Sequence, residues 1–248
     1  MADPLQDLME RDRAWDLLTE FTQSDSLRKH ALAVEAAMRA YAARYGQDPE
    51  TWGAAGMLHD FDYEMHPAAP QHPMKGAEIL LARGVPADVV HAVLAHADYS
   101  GYPRVSLLDH GLYACDELSG FITACALVRP GRAIAGLEPG SVKKKLKDKG
   151  FARTVNRQDV YRGAEELGVE LDEHIGFVIG VLTAVAQSKK QSAAACVKNC
   201  AWRKLLSAQR IRRQLARQAE SNIALPLGNR GSSYRSSGRR AARLLLLG

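Results

Sequence analysis

Apolar positions fall at helical spacing along most of this chain, and no stretch sustains the alternation of a half-buried strand. The clearest case is LRKHALAVEAAMRAYAARY, where Leu27, Ala31, Val34 and Met38 form one apolar face. Ser24 or Asp25 caps this helix and Gly46 stops it. A shorter helix, ETWGAAGMLHD, ends at His59-Asp60. The following stretch, FDYEMHPAAPQHP, holds three prolines and reads as a loop lying over a site. MKGAEILLAR is closed by Gly84, and Pro86 opens VPADVVHAVLAHAD from a first-turn position, where its missing N–H does no harm. VSLLDHGLYACDELSGFITACALV reads as a long, mostly buried helix stopped by Pro130. Three further helices are expected in SVKKKLKD, QDVYRGAEELG and LDEHIGFVIGVLTAVAQ. The fold class this predicts is all-α.

Composition supports that reading. Aromatic residues are 6% of the chain while Ala and Leu are abundant, which favours helices over a sandwich or barrel. The formal charge of +5 hides a split. Fourteen of the 33 Lys and Arg, but one of the 28 acids (Glu220), lie from Ser188 to Gly248, giving that segment +13 and the other residues −8. An acidic body argues against a broad nucleic-acid surface there. The organisation expected is one domain over residues 1–187, then a basic tail over 188–248 that is partly helical and then disordered. Contact between nucleic acid and the tail is the weaker reading of that segment; an extension without a role is the stronger.

Of the four cysteines, Cys115 and Cys125 read as small buried hydrophobes. Cys196 and Cys200 have no nearby Cys or His to complete a zinc set. The N-terminal MADPLQDLMERDRAWD is acidic and lacks the apolar core of a signal peptide. No stretch approaches the roughly 20 apolar residues of a membrane span. The expected location is the cytoplasm.

The candidate chemistry lies in histidines and aspartates spread over separate elements. His30 is mid-helix, His59-Asp60 closes one helix, His72 begins another, and His96 ends a third. Asp116 sits in an apolar helix, where an unpaired carboxylate is costly and a neighbouring cation removes the cost. Mixed imidazole and carboxylate donors suit Fe, Mn, Co, Ni or Zn better than Ca.

In this pattern the chain resembles the HD-domain superfamily of metal-dependent phosphohydrolases: a His (His30), a His-Asp pair (His59-Asp60 in AAGMLHDFD) and a distant Asp (Asp116 in YACDELSGF). The stretch HPMKGAEILLARGVPADVVHAVLAHA resembles the family's two-His insertion. The resemblance implies an HD-type helical bundle, one metal ion on His30, His59, Asp60 and Asp116, and a second on His72 and His96 with Asp60 bridging. Where many relatives read His-Asp-Ile-Gly, this chain has His59-Asp60-Phe61-Asp62. His66 competes with His72, because both precede a proline in the same loop; His72 is preferred as the opener of a helix whose Gly76-Ala77 can pack closely. His91, five residues from His96, faces another side of its helix. His110 and His174 belong to core or surface.

The expected reaction is hydrolysis of a phosphate ester, nucleotide or small phosphorylated metabolite, by metal-activated hydroxide. Asp60 and Lys75 are the expected catalytic residues. Arg129, Lys143, Lys144 and Lys145 are expected to bind the phosphoryl oxygens. Asp62 and Tyr63 are the choices for the leaving-group acid, and Phe61, Tyr63, Tyr99 and Tyr102 could stack a base or close the pocket. Two alternatives use the same ligands: a di-iron oxygenase, and a module that senses a nucleotide without turnover.

Overall fold

The computed structural model describes residues 9–188, and among these there is helix, turn and loop but no strand. The first helix, α1 (Arg11–Phe21), buries Ala14 and Leu18 from its own face, a stripe too thin to stand out in the sequence. Helix α2 (Asp25–Tyr45) buries Ala31, Val34, Met38 and Tyr41 along the predicted face. Gly46 ends it in the left-handed region at φ 64°, a conformation most side chains resist. Asp48 starts α3 (Pro49–Leu58) by accepting from the Glu50 and Thr51 amides. Every residue from Trp52 to Leu58 is buried, as expected of a helix surrounded by others.

A polar turn leads to α4 (Gln71–Ala82), and α5 (Ala87–Ala95) follows with Pro86 as its N-cap residue, one position earlier than the sequence suggested. A short 3-10 turn (Asp98–Ser100) precedes α6 (Leu107–Leu127). Ser106 and Asp109 form a reciprocal capping box at its start, so two otherwise orphaned amides are satisfied. The remaining helices are α7 (Pro139–Lys147), α8 (Arg157–Glu166) and α9 over 171–188.

Contacts join α3 to α1, α2, α5 and α6, and α6 to α2, α5 and α8. A Cβ on Gly56 would meet the Glu35 backbone nitrogen at 3.0 Å and Met38 Cγ at 2.9 Å, so glycine lets α3 seat against α2. That seating brings the end of α3, with His59, to His30 on α2. Tyr41, Phe61, Phe121 and Ile175 are among the largest fully buried side chains. Cys115 and Cys125 are both buried and unpaired, matching their expected part as core residues.

Among the described residues, no helix is long and apolar enough to cross a membrane. The basic tail beyond Ser188, including Cys196 and Cys200, lies outside them.

Candidate metal centre

Two ligand groups meet at Asp60. His30, His59, Asp60 and Asp116 offer ligand atoms within 4.8 Å of one another, and so do Asp60, His72 and His96. The first group draws on α2, the C-terminal end of α3 and the middle of α6; the second adds the start of α4 and the end of α5. His72 precedes Pro73 and takes extended backbone angles (φ −80°, ψ 135°), which turn its ring inward at the head of α4.

The two oxygens of Asp60 divide the groups between them. Oδ2 lies 3.3 Å from His59 Nε2 and 3.8 Å from His30 Nε2. Oδ1 lies 3.1 Å from His72 Nε2 and 3.6 Å from His96 Nε2. Asp116 Oδ1 is 2.9 Å from His30 Nε2 and 3.3 Å from His59 Nε2. Donors each about 2.1 Å from one transition-metal ion stand roughly 3.0–3.4 Å apart at tetrahedral or octahedral angles, so most of these spacings fit.

The imidazole tautomers point the same way. His59 donates from Nδ1 to the Gly56 carbonyl at 2.8 Å, and His96 from Nδ1 to the Val93 carbonyl at 2.5 Å. His72 donates from Nδ1 to Asp62 Oδ1 at 2.7 Å. Each ring therefore presents Nε2 as a lone pair to the cluster, the arrangement that backs a metal-bound imidazole. Nε2 atoms of His30 and His59 are only 3.2 Å apart, a distance that calls for positive charge beside them.

In protein atoms alone, protons supply that charge. Burial opposes ionisation of His59, but the carboxylates of Asp60 and Asp116 outweigh it and hold the ring well above its ordinary value. His72, also working against burial, is raised to about 9 by its bonds to Asp60 and Asp62. Asp60 and Asp116 are held well below the usual carboxylate range despite burial, chiefly by His59. A cation fits where those protons sit.

Over the cluster lies a cavity of about 480 Å³. Tyr63 and Tyr99, two of the expected aromatics, line it; Phe61 is instead fully buried in the core, and Tyr102 packs against His91. Tyr113, Glu117, Thr154, Asn156 and Asp159 also line it, none of which the sequence singled out. Their part depends on α8 and the segment before it folding back over α6, which no local pattern announces. Glu117 neighbours Asp116 and is half-buried; burial and then the Asp116 charge push its carboxyl up to about 8.

The expected phosphate-binding cations are elsewhere. Lys75 is exposed on α4 and pairs with Glu78 at 2.9 Å. Arg129 closes the end of α6 by donating to the carbonyls of Ala133, Ala135 and Gly136. Lys143 pairs with Asp172 at 2.8 Å, and Lys145 stands 4.7 Å over the Phe151 ring. Lys144 and Lys145 line a separate cavity with Arg129. Asp62 is fully buried behind His72, with Oδ2 taken by the Gly76 amide at 2.9 Å, so it does not face the cavity. The other histidines are also placed apart: His91 pairs with Asp109 and His110 with Glu166, while His66, the rival of His72, is in neither ligand group.

The family model for the HD domain matches residues 27–120, a span that begins before His30 and ends after Asp116. This segment is an HD domain. Its superfamily is one of metal-dependent phosphohydrolases, as the ligand pattern implied. The chain is also similar to part of ribonuclease Y from Nitratidesulfovibrio vulgaris, at 31% identity over 131 residues, 52% of this chain and 23% of that protein. Ribonuclease Y from Oleidesulfovibrio alaskensis is 30% identical over the same shares of each chain. The Lawsonia intracellularis protein of that name is 31% identical over 48% of this chain and 21% of its own. The match thus spans less than a quarter of these relatives. No solved structure matches the chain.

Proposed function

We propose that the chain is a phosphohydrolase that cleaves a phosphate ester at a metal centre held by its HD domain. The observation that carries this is Asp60, with one oxygen toward His30 and His59 and the other toward His72 and His96. His30, His59, Asp60 and Asp116 would hold one divalent transition metal, and His72, His96 and Asp60 a second. Such a centre supplies Lewis acidity toward phosphoryl oxygen and makes water acidic enough to deprotonate near neutral pH.

The chain's own groups prepare the site. The Gly56 and Val93 carbonyls and Asp62 fix three imidazoles with Nε2 facing inward. Tyr63 and Tyr99 wall the cavity and limit access of bulk water. Tyr63 is retained as the acid for the leaving oxygen, since it lines the cavity and Asp62 does not. Asp60 is the residue on which catalysis depends; Lys75 and the other expected cations take no part, because the cavity is not lined by them. RNA, the substrate class in the name ribonuclease Y, is one of the esters this reading admits.

Elemental analysis of the purified protein, paired with a phosphoester panel, tests the proposal. Asp60→Ala should lose both bound metal and turnover while helical content by circular dichroism stays near wild type. Full turnover in that variant would sink the proposal.

A further inference from the structure

The charge around the cavity bears on which ester it admits. Among the described residues no lysine or arginine lines it, while three carboxyl groups outside the ligand set do: Asp98, Glu117 and Asp159. The nearby cations stand behind the wall and are already engaged. Arg104 donates to Asp98 at 2.9 Å and to both oxygens of Glu166 at 2.6 and 3.0 Å. Arg162 contacts Asp98, Asp159 and the Tyr113 hydroxyl. Glu117 differs from the two aspartates. The Asn156 backbone stands beside it, but no ion pair with a basic side chain engages it among the described residues.

Two divalent ions among four neutral imidazoles and two carboxylates leave a net charge of about +2, which one phosphomonoester dianion balances. A second phosphate would extend past the ligands to a wall that offers carboxyl groups and no cation. Polyphosphates and nucleic acids are normally gripped by lysine, arginine or stacked amide donors, and a wall of this kind works against them. The volume of about 480 Å³ also suits a small metabolite.

We propose that this site takes a small ester with a single phosphoryl group, whose remainder carries no second anion and offers a hydrogen-bond donor, ammonium or hydroxyl, to Glu117. The reaction assumed rests on the phosphohydrolase reading; the selectivity is a separate claim. Water's oxygen bonds to phosphorus as the phosphorus–oxygen bond to the alcohol breaks. The alcohol leaves with a proton from the Tyr63 hydroxyl, the proton lost by the water restores that hydroxyl, and inorganic phosphate is the other product.

The test uses the full chain loaded with Mn²⁺ and four probes: phosphoethanolamine, glycerol 3-phosphate, ATP and a short oligoribonucleotide. Turnover is read as phosphate release or strand cleavage, and binding by calorimetry. At least one monoester should be bound and hydrolysed, with kcat/KM for ATP and the oligonucleotide lower by about tenfold or more. The two monoesters separate an ammonium from a hydroxyl as the favoured donor. In Glu117→Gln, with metal content checked by elemental analysis, the preferred monoester should lose about tenfold in affinity while ATP should lose none.

ATP or the oligonucleotide processed as well as the monoesters would overturn the selectivity and leave the hydrolase reading standing. Monoesters bound in preference but none of the four probes hydrolysed would support the selectivity and remove the hydrolase reading. No binding of either monoester would overturn the inference, as would a Glu117→Gln protein that keeps its metal and its preference for monoesters over ATP.

Discussion

Asp62 illustrates how far a single position can be read from its neighbours in the chain. Two residues from Asp60, it looked like a group for the leaving oxygen; in the fold it is fully buried, with His72 on one oxygen and the Gly76 amide on the other. It fixes the ring of His72, a candidate ligand. Asp62→Ala should weaken metal affinity about 10- to 100-fold, the usual effect of removing such support. Competition titration against a chelator measures this, and unchanged affinity would mean that His72 keeps its orientation without Asp62. The six candidate ligands were legible through their order along the chain, a mid-helix His30, the His59-Asp60 pair, Asp116 in an apolar helix and two histidines at helix ends. Asp62 and Glu117 were not, since their meaning comes from what faces them across the fold. Lys75 misled for the converse reason: three residues from His72 in sequence, it lies on the solvent side of α4 beside Glu78.

At the level of elements, periodicity located α2 through α9, and the caps at Asp48, Ser106 and Asn156 sharpen their starts. It passed over α1, whose buried face is only two residues wide. Approach distances between helices were beyond its reach. Gly163 on α8 sits so near α6 that a Cβ would stand 2.8 Å from Ala114 Cα, a backbone atom that cannot rotate away. Gly163→Ala should therefore destabilise the protein by about 1–3 kcal/mol through overpacking. Turnover should fall as well, because α8 carries Asp159 into the cavity wall. Gly180→Ala on α9 is the matched control, as nothing lies within 4 Å of its added methyl. Thermal melts of the two variants decide the matter, and equal melting temperatures would refute the tight α6–α8 contact. The lysine run of α7 also finds its explanation here: Lys143 reaches α9 and Lys145 covers Phe151, so the run braces neighbouring segments.

For the molecule as a whole, the sequence conveyed the all-helical architecture and the uneven charge, but not how the last described helix is fastened to the core. His174 on α9 does this. It is fully buried, donates from Nε2 to the Ala114 carbonyl at 2.9 Å, and accepts at Nδ1 from the Tyr41 hydroxyl at 2.6 Å. Both ring nitrogens are used by the neutral form, and burial pushes the pKa down to about 4 from 6.5. A depressed histidine favours the fold while it is uncharged. Its contribution is full above pH 6.5 and is lost as pH falls toward 4, because the unfolded chain binds the proton more readily. Between pH 7 and pH 5 this group should remove about 2 kcal/mol of stability. Urea unfolding at the two pH values measures the loss, and His174→Gln should show a shallower decline; an identical decline would exclude His174 as its source.

One side chain also governs the far side of the cavity. Arg157 donates to the carbonyls of Leu146, Asp148, Phe151, Ala152 and Val155, gathering the segment that brings Thr154 and Asn156 over the ligands. A planar fork of five N–H groups matches such a set, whereas the point charge of a lysine would not. Loop insertions that surface connections usually tolerate would here slide oxygen atoms out of step with a fixed comb of donors. This stretch is bound to its present length, and its drift would be felt at once by whatever the cavity holds.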